Sequence, residues 1–413
     1  MKPIIIYGFL FIISSALFIA CSDMNELHQK YIDQGEKIYA AKVDSVNVRP
    51  GDGRIQLDLF YSSMRITKSI IYWNNRNDSL EAGLPASGKE GVPVLLEDME
   101  EDSYSFEIVT LDKDNNRSLI VEALGEVYGE NYKTSLFNVS VINAEMVGSD
   151  AQITWGTVSS ESGIFGIELK YTDMLNEEHD VKIDVATGEE QPITILQNYL
   201  KGTKFKYRTL VKPETMAIDT FYAGFQQESV KYDVTSEYLK NYTYPFEYDL
   251  WDGSRWGTLK NWLTNSALLN KGDGLYGGFD GGYKGVLSAP SFGIERWGEE
   301  EKEILNGKIY QTFTIPAGKY QYIFSFGGGN PEAGNSGDDP RYIIVAKGEG
   351  LPDISNLSTA LASASLAGVS SSEEKSVEFT IDEPTKISLG VVVNWTNTSQ
   401  NIRAHHIQLF RVE

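Results

Sequence analysis

The stretch from residue 246 to 297 concentrates two kinds of side chain, flat aromatic rings and planar polar groups. It holds Tyr248, Trp251, Asp252, Arg255, Trp256, Asn261, Trp262, Tyr276, Asp280, Tyr283, Arg296 and Trp297. A flat ring stacks on the apolar C–H side of a pyranose, and planar polar groups hydrogen-bond its hydroxyls. Together they point to carbohydrate binding. Gly272, Gly274, Gly277, Gly278, Gly281, Gly282 and Gly285 interrupt strand periodicity and imply long loops, where function concentrates. The candidate ligand-binding residues are Trp251, Arg255, Trp256, Tyr276, Tyr283 and Trp297. Trp395, in the expected loop Asn394-Trp395-Thr396-Asn397-Thr398, and Arg403 beyond it are assigned to the same site. A tryptophan also serves as core. Trp262, flanked by Leu259 and Leu263, reads as core, whereas the polar and glycine neighbours of Trp256 and Trp297 read as surface.

Other chemistries find less support. There are four histidines, His28, His179, His405 and His406, and the adjacent pair would face opposite sides of a strand. No metal site is expected. No nucleophile elbow, zinc-protease helix or phosphate loop is present. A glycosidase-like carboxylate pair needs a defined separation in space, and Asp249, Asp252, Asp280 and Glu295 are its candidates. The reading is nevertheless that the protein is not an enzyme and has no catalytic residues or cofactor. Asp338 and Asp339, with Asn330 and Asn335, offer hard oxygen ligands on a glycine-rich loop, so a structural calcium ion is an alternative to a solvated acidic loop.

The 413 residues carry a formal net charge of −22, which repels nucleic acid and anionic lipid. A neutral partner such as a glycan meets no such barrier. Hydrophobic residues at 41% and aromatics at 12% suffice for packed cores. Cys21 is the sole cysteine, so no intrachain disulfide forms. Lys2 followed by the apolar stretch Ile4 to Ala20 reads as an export signal. Residues 18–21, Phe-Ile-Ala-Cys, resemble the bacterial lipobox, although that family prefers leucine where Phe18 stands. The resemblance implies that Cys21 is the lipid attachment site and that residues 1–20 are removed. Ser22-Asp23 and Glu26 resemble the export signal of Bacteroidetes surface lipoproteins, which implies an outer-membrane, cell-surface location.

After a tether at 21–38, the pattern is strands and turns. Ile55, Leu57 and Leu59 alternate with polar residues, as in a half-buried strand. The order of motifs then repeats: residues 153–155 correspond to 57–59, 166–171 to the strand ending at Trp73, 192–195 to 93–96, and 204–208 to the strand around Tyr104. Two copies of about seven short strands fit two fibronectin-III-like sandwiches, at 39–133 and 134–235. Tyr104 is placed for a tyrosine corner, and Phe205 lacks the hydroxyl for one. Asp44-Ser45-Val46 and Asp78-Ser79-Leu80 resemble the short O-glycosylation signal of Bacteroidetes envelope proteins.

Lys37-Ile38-Tyr39, Pro50-Gly51, residues 71–74, Asp78-Ser79 and residues 127–129 with Tyr132 together resemble an uncharacterised module of Bacteroidetes lipoproteins, over roughly residues 30 to 235. Five of the seven tryptophans lie beyond residue 236, where the composition changes. Residues 307–313, 316–320 and 388–394 resemble the galactose-binding-like C-terminal domains of the same lipoproteins, which implies a jelly-roll sandwich over 236–413. The expected fold is therefore all-β, two fibronectin-III-like sandwiches followed by a jelly roll. The whole resembles accessory glycan-binding lipoproteins of polysaccharide-uptake systems. That implies a glycan ligand, a membrane held through Cys21, and neighbouring outer-membrane uptake proteins. The alternative from a different class is an assembly or protein-binding envelope subunit that exchanges strands at a sheet edge.

Overall fold

The computed structural model describes residues 37–282, 287–326 and 334–412. The expectations for Cys21, the tether to residue 36, Tyr283 and Asn330 lie outside the described residues. Among the described residues no helix is long and apolar enough to cross a membrane.

The protein is all-β. In the first unit the period-two pattern does what it predicts: along Ile55–Tyr61 the residues Ile55, Leu57, Leu59 and Tyr61 are buried while those between them are half-exposed. This strand is central in a sheet ordered Ser45–Pro50, Ile55–Tyr61, Gly88–Leu96. The other sheet runs Asp78–Gly83, Ile66–Trp73, Asp102–Asp112, Val121–Val127. Numbered along the chain these orders are 1-2-5 and 4-3-6-7, the fibronectin-III arrangement. Leu57, with Ile71, Phe106 and Ile108, fills the core between the sheets. The Tyr104 hydroxyl donates to the Glu100 carbonyl four residues upstream at 3.1 Å, the geometry of a tyrosine corner.

The same unit also takes in residues 161–163 and 210–223, which the sequence reading assigned to the second sandwich. Asp219 explains part of this. Its carboxylate accepts from Arg54 Nε at 3.0 Å and Nη2 at 2.6 Å, and from the Asp52 backbone N–H at 2.9 Å. The Arg54 hydrogen bonds hold the Asp219 carboxyl below its ordinary range. Phe221 adds an edge-on contact with Tyr132 at 5.1 Å.

The second unit contains the second sandwich. Val141–Val147, Asp150–Trp155 and Thr194–Leu196 form one sheet. Glu178–Asp184, Ile164–Thr172 and Lys204–Val211 belong to the other, with Gln226–Ser229 paired to Lys204–Tyr207. Trp155, Leu169, Phe205 and Tyr207 lie in its core. Phe205 supplies no corner hydroxyl. Tyr199 instead donates forward to the Thr203 carbonyl at 2.7 Å.

The third sandwich starts slightly earlier than residue 236, because Tyr232–Asp233 already pairs with His406–Arg411. That sheet continues through Gly318–Ser325 to Glu374–Ile381. Tyr320, Tyr322, Phe324 and Phe326 are all fully buried, as their alternation requires. A second sheet centres on the long strands Ile304–Ile315 and Thr385–Trp395. A third carries the candidate site and is described below. Gly390 shows how closely the central strands meet: a Cβ there would stand 2.0 Å from the Ile309 carbonyl oxygen and 2.6 Å from Tyr310 Cα. Both are backbone atoms, so the sheet itself would have to move. Gly390→Ala is expected to lower stability by about 1–3 kcal/mol, read as an earlier midpoint in urea unfolding.

Candidate functional site

A six-stranded sheet runs in the order Tyr248–Trp251, Trp256–Leu259, Gly278–Asp280, Ser291–Arg296, Gln400–Ala404, Gly334–Ser336. One face is apolar: Leu259, Phe279, Phe292, Ile294, Ile402 and Ala404 join the core. Alternation sends their neighbours to the other face. Trp256 stands opposite Asp280, Gly293 opposite Arg403, and Glu295 opposite Asn401. The register thus places an indole, two carboxylates and a guanidinium on one surface. Gly293 makes the arrangement possible, because a Cβ there would lie 2.6 Å from the Asp280 Cβ.

These groups form one ion-pair network. Arg255 donates from Nε to Asp280 Oδ1 at 3.0 Å and from Nη2 to Asp280 Oδ2 and Glu295 Oε2, each at 2.9 Å. Arg403 reaches the same two acids, from Nε to Asp280 Oδ2 at 2.7 Å and from Nη2 to Glu295 Oε2 at 2.6 Å. Lys271 Nζ lies 3.7 Å from Glu295 Oε1 and is bonded to Glu301. The other Glu301 oxygen accepts the Trp297 backbone N–H at 2.7 Å. The Trp256 ring centre is 4.0 Å from the Arg255 guanidinium and 4.3 Å from Lys271 Nζ. Three cations meet three carboxylates, so the formal charges cancel.

Asp280 is 1% exposed. Burial pushes its pKa up, but hydrogen bonds from Arg255 and the charges of Arg403 and Arg255 outweigh that and hold it below the usual aspartate value. It is therefore an anion at neutral pH and has no proton to give as a general acid. Of the other carboxylates considered for hydrolysis, Glu295 is bonded to both arginines. Asp252 caps a turn, accepting the backbone N–H groups of Ser254, Arg255 and Trp256, and Asp249 is exposed on a strand.

The sequence-assigned residues separate in space. Arg255, Trp256 and Arg403 come together in the network. Trp297 adjoins it through Glu301 and is 59% exposed. Tyr276 is half-exposed and exchanges backbone hydrogen bonds with Lys271. Trp251 is half-buried and packs against the core, beside Tyr248. Trp395 requires a correction. The strand runs through it, Val391 and Val393 precede it on the core side, and it is fully buried. It is a core residue, with the Arg341 guanidinium 5.0 Å from its ring. The Asp339 carboxylate is engaged by the backbone N–H groups of Thr396 and Asn397 at 2.7 Å and by Asn397 Nδ2 at 2.6 Å, and Asn335 Oδ1 accepts from Arg341 at 3.1 Å. These oxygens organise the loop themselves. Lys271, Glu301 and Gly293 were missed by the sequence reading. Only cross-strand register and loop closure bring them to Trp256.

Two family profiles match the chain, each described as a domain of unknown function: DUF4998 over residues 21–221 and DUF5013 over residues 240–390. No curated protein matches the sequence. Among solved structures, a two-domain fibronectin type-III segment from chicken tenascin is similar, at 10% identity, covering 45% of this chain and 97% of its own, with a TM-score of 0.20. The chicken interferon gamma receptor alpha chain gives 12% identity, 45% and 97% coverage and a TM-score of 0.21.

Proposed function

We propose that the protein binds an extracellular carbohydrate, without catalysis, on the charged outer face of the third sandwich. Cys21 would hold it by lipid at the outer-membrane surface beside glycan-uptake proteins, with the fibronectin-III-like sandwiches as spacers. The supporting observation is Trp297, an indole 59% exposed at the edge of a fixed array of guanidinium and carboxylate groups. An exposed ring is a stacking platform for a pyranose, and an array whose charges cancel suits a neutral, hydroxyl-rich ligand. The Trp256 ring differs, since two cations already lie against it. Its role in this reading is to fix Arg255 and Lys271 where sugar hydroxyls meet them.

The test is affinity electrophoresis of the full-length protein in gels containing host or plant polysaccharides. At least one polysaccharide is expected to retard the wild type. Trp297→Ala is expected to abolish retardation while leaving the thermal midpoint unchanged, because the ring is mostly exposed. Trp256→Ala is expected to lower both. Retardation unchanged in Trp297→Ala, or absent with every polysaccharide, would refute the reading.

A further inference from the structure

We infer that the hairpin between strands Ile164–Thr172 and Glu178–Asp184 holds a divalent metal ion of the zinc class through Asp173, Glu177 and His179. One ligand atom from each lies within 4.8 Å of the other two. This cluster is in the second sandwich and is independent of the carbohydrate reading.

The geometry is set before any ion arrives. Asp173 is 7% exposed, and its Oδ1 accepts the backbone N–H groups of Leu175 at 2.9 Å and Glu177 at 2.8 Å. Those bonds fix the carboxylate plane and turn Oδ2 to His179 Nε2, 2.9 Å away. The imidazole stacks on Tyr171, with ring centres 5.0 Å apart and planes 22° apart, and Tyr171 stacks in turn on buried Tyr199 at 6.1 Å. The 2.9 Å separation is that of a hydrogen bond; in the tetrahedral shell typical of zinc, two ligands each about 2.1 Å from the ion stand roughly 3.4 Å apart. The pair would open by about half an ångström to take an ion in place of the shared proton, a movement open to the partly exposed His179.

The charge balance favours a cation too. Asp173 is a nearly buried carboxylate whose ion-pair partner among the described residues is a histidine, charged only when protonated. Two carboxylates match the charge of a divalent ion. The nitrogen ligand disfavours calcium and magnesium and suits zinc and its neighbours in the first transition row. Glu177 is exposed, so the third ligand can adjust, and water can complete the shell.

Isothermal titration of the full-length protein with zinc chloride at about pH 7.5 is expected to give a single site. His179→Ala should weaken it by about tenfold or more, and Glu177→Gln should weaken it less. Both side chains are accessible enough for the variants to fold, which circular dichroism checks. No zinc binding, or zinc binding undiminished in His179→Ala, would overturn the inference.

Discussion

Asp280→Asn is expected to destabilise the third sandwich by about 3–5 kcal/mol, the cost of removing one partner from a buried ion network. The substitution keeps the shape and removes the charge. Arg255 and Arg403, with side chains 19% and 11% exposed, would keep Glu295 but lose the charge of Asp280. Five of the seven tryptophans lie in this sandwich, so its unfolding in urea can be followed by fluorescence. The same group sets an acid limit. Its folded pKa lies below the unfolded one, so its contribution is complete above the unfolded value of about 3.9 and is lost as pH falls through the folded value. The wild type should therefore lose stability in acid below about pH 4. Asp280→Asn should be weaker at neutral pH and flatter across that window. Equal midpoints for the two proteins at pH 7 would show that the network contributes nothing.

Arg341→Ala is expected to have an effect of similar size, about 3–5 kcal/mol, for a different reason. Arg341 is fully buried, and that burial pushes its pKa down to about 10, so it remains a cation at neutral pH. Its hydrogen-bond partners are all neutral. It donates to the carbonyls of Asp339 at 3.0 Å, Ser336 at 2.5 Å and Asn401 at 3.3 Å, to Asn335 Oδ1 at 3.1 Å, and to the Gln400 side chain. Truncation leaves these acceptors without that donor in a space closed to water. A lysine lacks the planar fork and is not expected to restore them. The consequence reaches the candidate site, because Asn401 and Gln400 lie on the strand that carries Arg403, and Gly334–Ser336 pairs with that strand. In the proposed reading the variant should bind carbohydrate more weakly as well as unfold earlier. Full stability in Arg341→Ala, by thermal and urea unfolding together, would overturn this account.

Strand identity was legible in the sequence because it depends on a local period. Ile55, Leu57 and Leu59 in the first sandwich alternate with polar residues and are buried as that alternation requires; Tyr320, Tyr322 and Phe324 in the third recur at every second position and are buried, with Ile323 between them buried too. The duplicated order of motifs likewise announced two sandwiches with the same strand order. Local composition also separated Trp262, set between leucines and buried, from Trp297, set among polar residues and exposed. The pattern failed at Trp395. Whether a strand stops at Val393 or runs two residues further depends on what lies opposite, and Ile304 pairs with Trp395 there.

What the sequence by itself determined is thus the all-β class, the repeat, and the region where rings and charges gather. Tertiary structure alone decided which of those charges meet. Asp280 and Arg403 are 123 residues apart, and no local period relates them. Their contact depends on strand register, on Gly293 lacking a side chain between them, and on loop closure that brings Lys271 to Trp256. The chain's long-range pairing also placed residues 210–223, Asp219 among them, in the first unit rather than with the second sandwich. Periodicity is a property of adjacent residues and survives without the fold. Ion-pair partners are chosen by distance in space, which exists only after the strands have paired.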